Sequence, residues 1–186
     1  MKTTFKILIL LIIAKGVSQD LPVIEKEKKP YFLVQGELKN FEKVKAKFDV
    51  RVKGLGYGGS ETFLTAFDKN SPVRYKAGEL PKILIKITSD GDPEDYLTVF
   101  RQTRKKRKKD RRRFKQSSMA LGGKARDVSE AEIQFELNKV GENIYEIEFD
   151  NELLPDEYAL VPIKTFSHNP TAPYNSQQTI YCFGVD

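Results

Sequence analysis

The chain has 186 residues, 39% of them hydrophobic, with one Cys, one His and no Trp. That is enough apolar material for one domain with an elaborated loop, and it excludes an internal disulfide and a His-rich zinc site. The 32 basic and 26 acidic residues give a net charge of +6, a total that hides a strong asymmetry along the chain.

The chain opens with MKTTFKILILLIIAKGVSQD. Lys2 and Lys6 flank a polar start, residues 7–14 form an unbroken apolar run, and Gly16 and Ser18 are small residues at the cleavage positions. This layout predicts a secretory signal peptide over residues 1–18, cut near Ser18. The apolar run is far shorter than the roughly twenty residues a membrane-crossing helix needs, so no transmembrane span is expected in the mature chain. No Cys lies there to carry a lipoprotein anchor. The first residues, with Gln19-Asp20 at the expected mature start, resemble exported proteins of Bacteroidota. Export implies a periplasmic, cell-surface or secreted location and removes cytosolic nucleic acid as a partner.

Residues 19–30, QDLPVIEKEKKP, read as a flexible leader, and residues 31–186 as the folded domain. YFLVQGEL is a short strand-like run broken at Gly36. KVKAKFDVRVKG alternates strictly: Val44, Ala46, Phe48, Val50 and Val52 take one face, Lys43, Lys45, Lys47, Asp49, Arg51 and Lys53 the other. Period two predicts a half-buried strand. KILIKIT repeats it with Ile83, Ile85 and Ile87, and YLTVFRQT follows the acidic turn SDGDPED. EIQFEL and YEIEF predict a hairpin around NKVGEN, with Ile133, Phe135 and Leu137 on one face of the first strand and Tyr145, Ile147 and Phe149 on one face of the second. ALVPI and TIYCFGVD supply the last two strands. SETFLTAF and SMALGGKARDVSEAE leave room for one helical turn each, and no amphipathic helix is evident. Seven to eight short strands at even spacing predict an all-β fold: a single antiparallel sandwich or a partly open barrel.

Leu154-Pro155-Asp156-Glu157-Tyr158 precedes ALVPI. It resembles the L-x-P-G-x-Y corner of bacterial immunoglobulin-like sandwich domains, with one residue fewer and Asp in place of Gly. The resemblance covers about thirty residues. It implies that Tyr158 has a structural role, its hydroxyl bonding back to nearby backbone at the start of the penultimate strand.

The strongest feature is RKKRKKDRRRFK at residues 104–115, with ten basic residues and one acid. Setting aside this stretch and the three lysines of residues 1–18 leaves 19 basic against 25 acidic residues. The body is thus acidic and carries one dense positive segment. Residues 97–106 and 111–119 are expected to form the arms of a projecting hairpin turning near Lys109-Asp110. Its tip would present Arg104, Lys105, Lys106, Arg107, Lys108, Lys109, Arg111, Arg112, Arg113 and Lys115 to an anionic polymer, lipid head groups or an acidic protein surface. The bland alternative is a solvated loop. Aromatic residues that would stack nucleic-acid bases are few here: Phe100 and Phe114.

Other motifs are weaker. Gly54, Gly56 and Gly59 satisfy a dinucleotide-loop spacing but lack the following helix, so they read as a loop or bulge, with Tyr57 a candidate cleft-rim residue. Asp90, Asp92, Glu94 and Asp95 lack a full calcium-loop spacing, and Pro93 interrupts them. His168 beside Ser167 lies in a Pro- and Asn-rich loop with no evident triad. Cys182 sits in a strand pattern and reads as a buried, inert thiol. No catalytic residue, metal site or cofactor is assigned. The expectation is an exported, non-enzymatic binding or scaffold module. The alternatives are a cell-envelope assembly subunit using a sheet edge, and a hydrolase with an unrecognised carboxylate pair.

Overall fold

A computed structural model describes residues 21–52, 59–88, 90–103, 110–119, 125–126, 131–162 and 177–186. The expected signal peptide, Gly54, Gly56, Tyr57, Ser167 and His168 lie outside the described residues.

The described residues form fourteen strands. They are β1 (Tyr31–Val34), β2 (Glu37–Asn40), β3 (Glu42–Val52), β4 (Ser60–Phe67), β5 (Arg74–Tyr75), β6 (Lys82–Lys86) and β7 (Leu97–Arg101). After these come β8 (Arg111–Met119), β9 (Ala125–Arg126), β10 (Glu132–Ile133), β11 (Phe135–Gly141), β12 (Ile144–Phe149), β13 (Asp156–Pro162) and β14 (Gln177–Val185). The fold is all-β, as the alternation predicts. Its strands exceed the expected seven or eight in part because β2, β5, β9 and β10 are two to four residues long, too short to show a period, and in part because β4 is a strand where room was left for a helical turn. SETFLTAF is not a helical turn; it is β4, and the start of SMALGGKARDVSEAE completes β8. The end of the acidic stretch SDGDPED enters a 3-10 turn, Pro93–Tyr96, capped by Asp92.

Five strands form one sheet in the order β11-β12-β6-β1-β2. The other sheet runs β10-β7-β13-β14-β3-β4-β8-β9, with β5 beside β14. This second sheet curls until its two halves touch: Gln102 bridges Phe114, and Thr103 N–H donates to Arg113 C=O at 2.8 Å. The result is a sandwich whose larger sheet is a partly open barrel.

The expected long hairpin is corrected by this topology. β7 pairs with β10 and β13, whereas β8 pairs with β4 and β9. The two expected arms meet only around the Gln102–Phe114 bridge. The reason lies in β7 itself: Leu97 and Val99 enter one core and Phe100 the other, so the strand is covered on both faces and belongs to the interior of the sheet.

Alternation along the central strands feeds two cores. Tyr158 and Leu160 of β13 and Tyr181, Phe183 and Val185 of β14 face the smaller sheet, meeting Phe32, Ile83, Ile85 and Ile147. Ala159, Val161, Ile180 and Cys182 point the other way, into the barrel, with Ala46, Leu64, Ala66, Phe100 and Phe114. β13 and β14 therefore read as nearly continuous apolar runs. A third cluster lies outside the smaller sheet, where Ile24 packs on Tyr31 and Leu84. From Leu21 onward the expected flexible leader is thus docked: Ile24 is buried, and Lys28 N–H donates to Lys86 C=O.

Local chemistry pins the corners. Gln35 and Gly36 both take positive φ, as a two-residue type I′ hairpin turn between β1 and β2 requires. The Tyr158 hydroxyl donates to Leu154 C=O at 2.6 Å, the bond expected from the LPDEY resemblance. Asp156, where that pattern has Gly, accepts from Arg101 Nε at 3.0 Å and from Glu157 N–H. Tyr158→Phe removes one buried donor and is expected to lower unfolding free energy by about 1 kcal/mol, read from the urea midpoint at unchanged m. An unchanged midpoint would show that the corner bond carries no stability.

Candidate functional site: a basic sheet face

Strand pairing divides the basic segment between two faces. Along the β4–β8 ladder, Phe67 opposes Arg111, Ala66 opposes Arg112, Thr65 opposes Arg113, Leu64 opposes Phe114 and Phe63 opposes Lys115. Directly opposed side chains share a face. Arg112 and Phe114 therefore enter the barrel with Ala66 and Leu64, while Arg111, Arg113 and Lys115 lie on its outer face. β3 extends that outer face, since Lys47 opposes Thr65, Asp49 opposes Phe63 and Arg51 opposes Glu61. Lys43 and Lys45 lie on the same side by alternation. Three strands thus gather seven cations and two acids, Asp49 and Glu61, on one surface.

The cations differ in their surroundings. Lys115 Nζ stands 3.3 Å from Glu61, and Arg113 Nη2 stands 3.9 Å from Asp49. Arg113 covers Phe63, its guanidinium carbon 4.0 Å from the ring centroid. It is 7% exposed, and its Nε has no hydrogen-bond partner. Burial, opposed by Asp49 and reinforced by Arg51, pulls its guanidinium below the ordinary arginine range. Lys43, Lys45, Lys47 and Arg51 are exposed, and among the described residues none pairs with a carboxylate. Alternate residues of an extended strand stand about 6.8 Å apart, so the three lysines make an evenly spaced row. Phe67, 44% exposed, lies between Lys47 and Arg111, whose charged groups are 5.4 and 5.2 Å from its ring centroid.

Inside the barrel the chemistry is structural. Arg112 is 0% exposed. Its Nη1 and Nη2 donate to the two Glu42 oxygens at 2.5 and 2.9 Å. Nε donates to Asp68 C=O and Nη2 to Phe67 C=O, both at 3.3 Å. Glu157 lies 3.7 Å from Nη1, accepts from Ser71 N–H, and pairs with Arg74, which clasps Asp186. Burial opposes the Arg112 charge, but the Glu42 hydrogen bonds and the Glu42 and Glu157 charges hold it above the ordinary arginine range. A Cβ at Gly184 would overlap the Arg74 guanidinium, so a side chain there would push Arg74 away from its present contacts. Cys182 is fully buried close by, and burial pushes its thiol well above the usual range.

The expectation that Arg112 meets an external anion is therefore corrected: its charge is fully used within the fold. Arg111, Arg113 and Lys115 do lie on the outer face. Arg104, Lys105, Lys106, Arg107, Lys108 and Lys109, and likewise Tyr57, lie outside the described residues.

No protein-family model, curated protein or solved structure matches this chain.

Sequence reasoning placed Lys43, Lys45, Lys47 and Arg51 on one strand face but assigned them no role. The signal was their strict alternation. What it lacked was the β3–β4–β8 order, which sets that row beside Arg111 and Lys115. Phe67 was missed outright, because its value depends on cations from two other strands. Among the described residues, no three of His, Cys, Asp and Glu cluster as metal ligands, and no helix is long and apolar enough to cross a membrane.

Proposed function

We propose that this protein is an exported, non-enzymatic binding or scaffold module whose outer β3–β4–β8 face contacts an anionic polymer or surface. Residues 104–109 bring six more cations in the sequence shortly before β8. The carrying observation is the exposed row Lys43, Lys45, Lys47 and Arg51, without carboxylate partners among the described residues, beside the β8 cations. A polyanion carries a layer of condensed cations, and a row of protein cations that displaces them gains the entropy of their release. The acidic remainder of the chain polarises the molecule and steers an anionic partner toward this face. Export is supported by the three-part layout of residues 1–18.

Assembly through a sheet edge is the weaker reading. The edge strands of the smaller sheet, β2 and β11, carry Glu37, Lys39, Glu136 and Lys139. Charges on an edge strand discourage pairing with another chain.

The test is equilibrium binding of dextran sulfate across a salt series. The expected affinity falls steeply with salt, and replacing Lys43, Lys45, Lys47 and Arg51 with Gln reduces the log–log slope by about three. A flat salt dependence for the unaltered protein would overturn the proposal.

A further inference from the structure

The basic face carries one feature that charge alone does not require. Phe67 keeps an exposed ring at the end of β4, between two cations that approach its centroid within 5.4 Å and 5.2 Å. The ring sits on a fixed support. Buried Arg112, tied to Glu42, donates to the carbonyls of both Phe67 and Asp68, and Asp68 bridges Arg111. Asp68 itself takes φ of 74°, a conformation that costs a non-glycine residue energy and needs such support.

The surroundings of the ring favour one class of polyanion. The face is rich in lysine and has no apolar centre, whereas stable protein interfaces are depleted of lysine at their cores. Exposed Val50 and Val52 lie on the opposite side of β3, so this face offers a bilayer no apolar wedge. Phe67 is its only exposed aromatic ring among the described residues, while binders of single-stranded nucleic acid stack successive bases on several. A sugar ring needs a single flat apolar platform for its C–H face and carries its acid groups at its edge; Lys47 and Arg111, which lie over the Phe67 ring in the free protein, would exchange that contact, a weak one at an exposed site, for those acid groups.

We propose that Phe67, bracketed by Lys47 and Arg111, is a stacking platform for a sugar ring of an acidic polysaccharide whose sulfate or uronate groups these two cations take. This rests on the reading of the face as polyanion-binding. Arg112 acts as a positioning residue, holding the backbone that presents the ring.

The test uses the full chain with five probes: dextran sulfate, polygalacturonate, polyglutamate, a single-stranded DNA oligomer and anionic vesicles. The two saccharides are expected to bind more tightly than polyglutamate at matched charge and salt. Phe67→Ser is expected to weaken saccharide binding about fivefold to tenfold at an unchanged salt slope, with polyglutamate unaffected and Phe67→Tyr retaining most of the affinity. Lys47→Gln should lower the slope instead, by about one. Phe67 is an exposed side chain, and matching circular dichroism and thermal midpoints verify that the variants are folded. Equal saccharide binding by Phe67→Ser, or a preference for polyglutamate, DNA or vesicles, would overturn the platform while leaving the basic face intact. Absence of salt-dependent binding to any of the probes would overturn the face and the platform together.

Discussion

Glu42→Gln is expected to destabilise the protein by about 3–5 kcal/mol, measured by denaturant unfolding at neutral pH. The substitution changes the side-chain volume little, so the cost is electrostatic. Arg112 is wholly buried, and Glu42 accepts from both of its terminal nitrogens. Without that carboxylate, the nearest remaining negative group is Glu157 at 3.7 Å, already engaged by Arg74 and Ser71. A buried guanidinium left this way retains its desolvation cost and loses its main compensation. Since domains are stable by only about 5–15 kcal/mol, this single change removes a large share of the total. The double variant Glu42→Leu, Arg112→Met takes both charges out of the barrel. It is expected to lose much less than the sum of the two single changes, giving a coupling of several kcal/mol in a double-mutant cycle. A loss below about 1 kcal/mol for Glu42→Gln, the level of an exposed pair, would show that Arg112 is solvated in the native state.

Phe183→Ala is expected to cost about 3–5 kcal/mol. Phe183 is fully buried on β14, where the two sheets meet. It stacks on Tyr158 at 5.3 Å and meets Phe32 and Phe41 edge-on, both at 5.6 Å. Phe32 comes from the smaller sheet and Tyr158 from the larger, so the ring joins both. Truncation loses the transfer free energy of the ring, opens a cavity between sheets that strand pairing holds in place, and removes three aromatic contacts worth about 0.5–1.5 kcal/mol each in such pairs. The denaturant midpoint should fall sharply at unchanged m, and Phe183→Leu should recover part of the loss. A cost for Phe183→Ala no larger than that of Tyr158→Phe would mean that the inter-sheet core is loosely packed at this point.

The two variants probe different halves of the larger sheet. Glu42→Gln weakens the barrel interior, and through the carbonyls of Phe67 and Asp68 it reaches the basic face. Phe183→Ala weakens the contact with the smaller sheet and leaves that face untouched. Loss of polyanion affinity in folded Glu42→Gln but not in folded Phe183→Ala would therefore trace to Arg112 as a positioning residue.

Much of the fold was readable from the residues because a strand buried on one face must alternate. β3, β11 and β12 follow that pattern, and the expected hairpin is the β11–β12 ladder, with Phe135 opposite Phe149 and Leu137 opposite Ile147, while Ile133 falls in β10 and pairs with Val99 of the larger sheet. β4 did not, and the reason is physical. Leu64 and Ala66 enter the barrel while Phe63 and Thr65 lie buried on the outer side, so both faces are covered and SETFLTAF shows no period. β3 shows the converse at its far end, where Val50 and Val52 keep the alternation but are 48% and 62% exposed.

The density of positive charge at residues 104–115 and the strand period around it are properties of neighbouring residues, and both were legible in the chain before any folding. Which cations face outward, and which one is spent inside, depended on β8 pairing with β4 across more than forty residues. That pairing is settled by burial, since it places Phe114 beside Leu64 in the barrel. The same register carries Arg112 inward to Glu42 and leaves Arg111, Arg113 and Lys115 on the outer face with the lysines of β3.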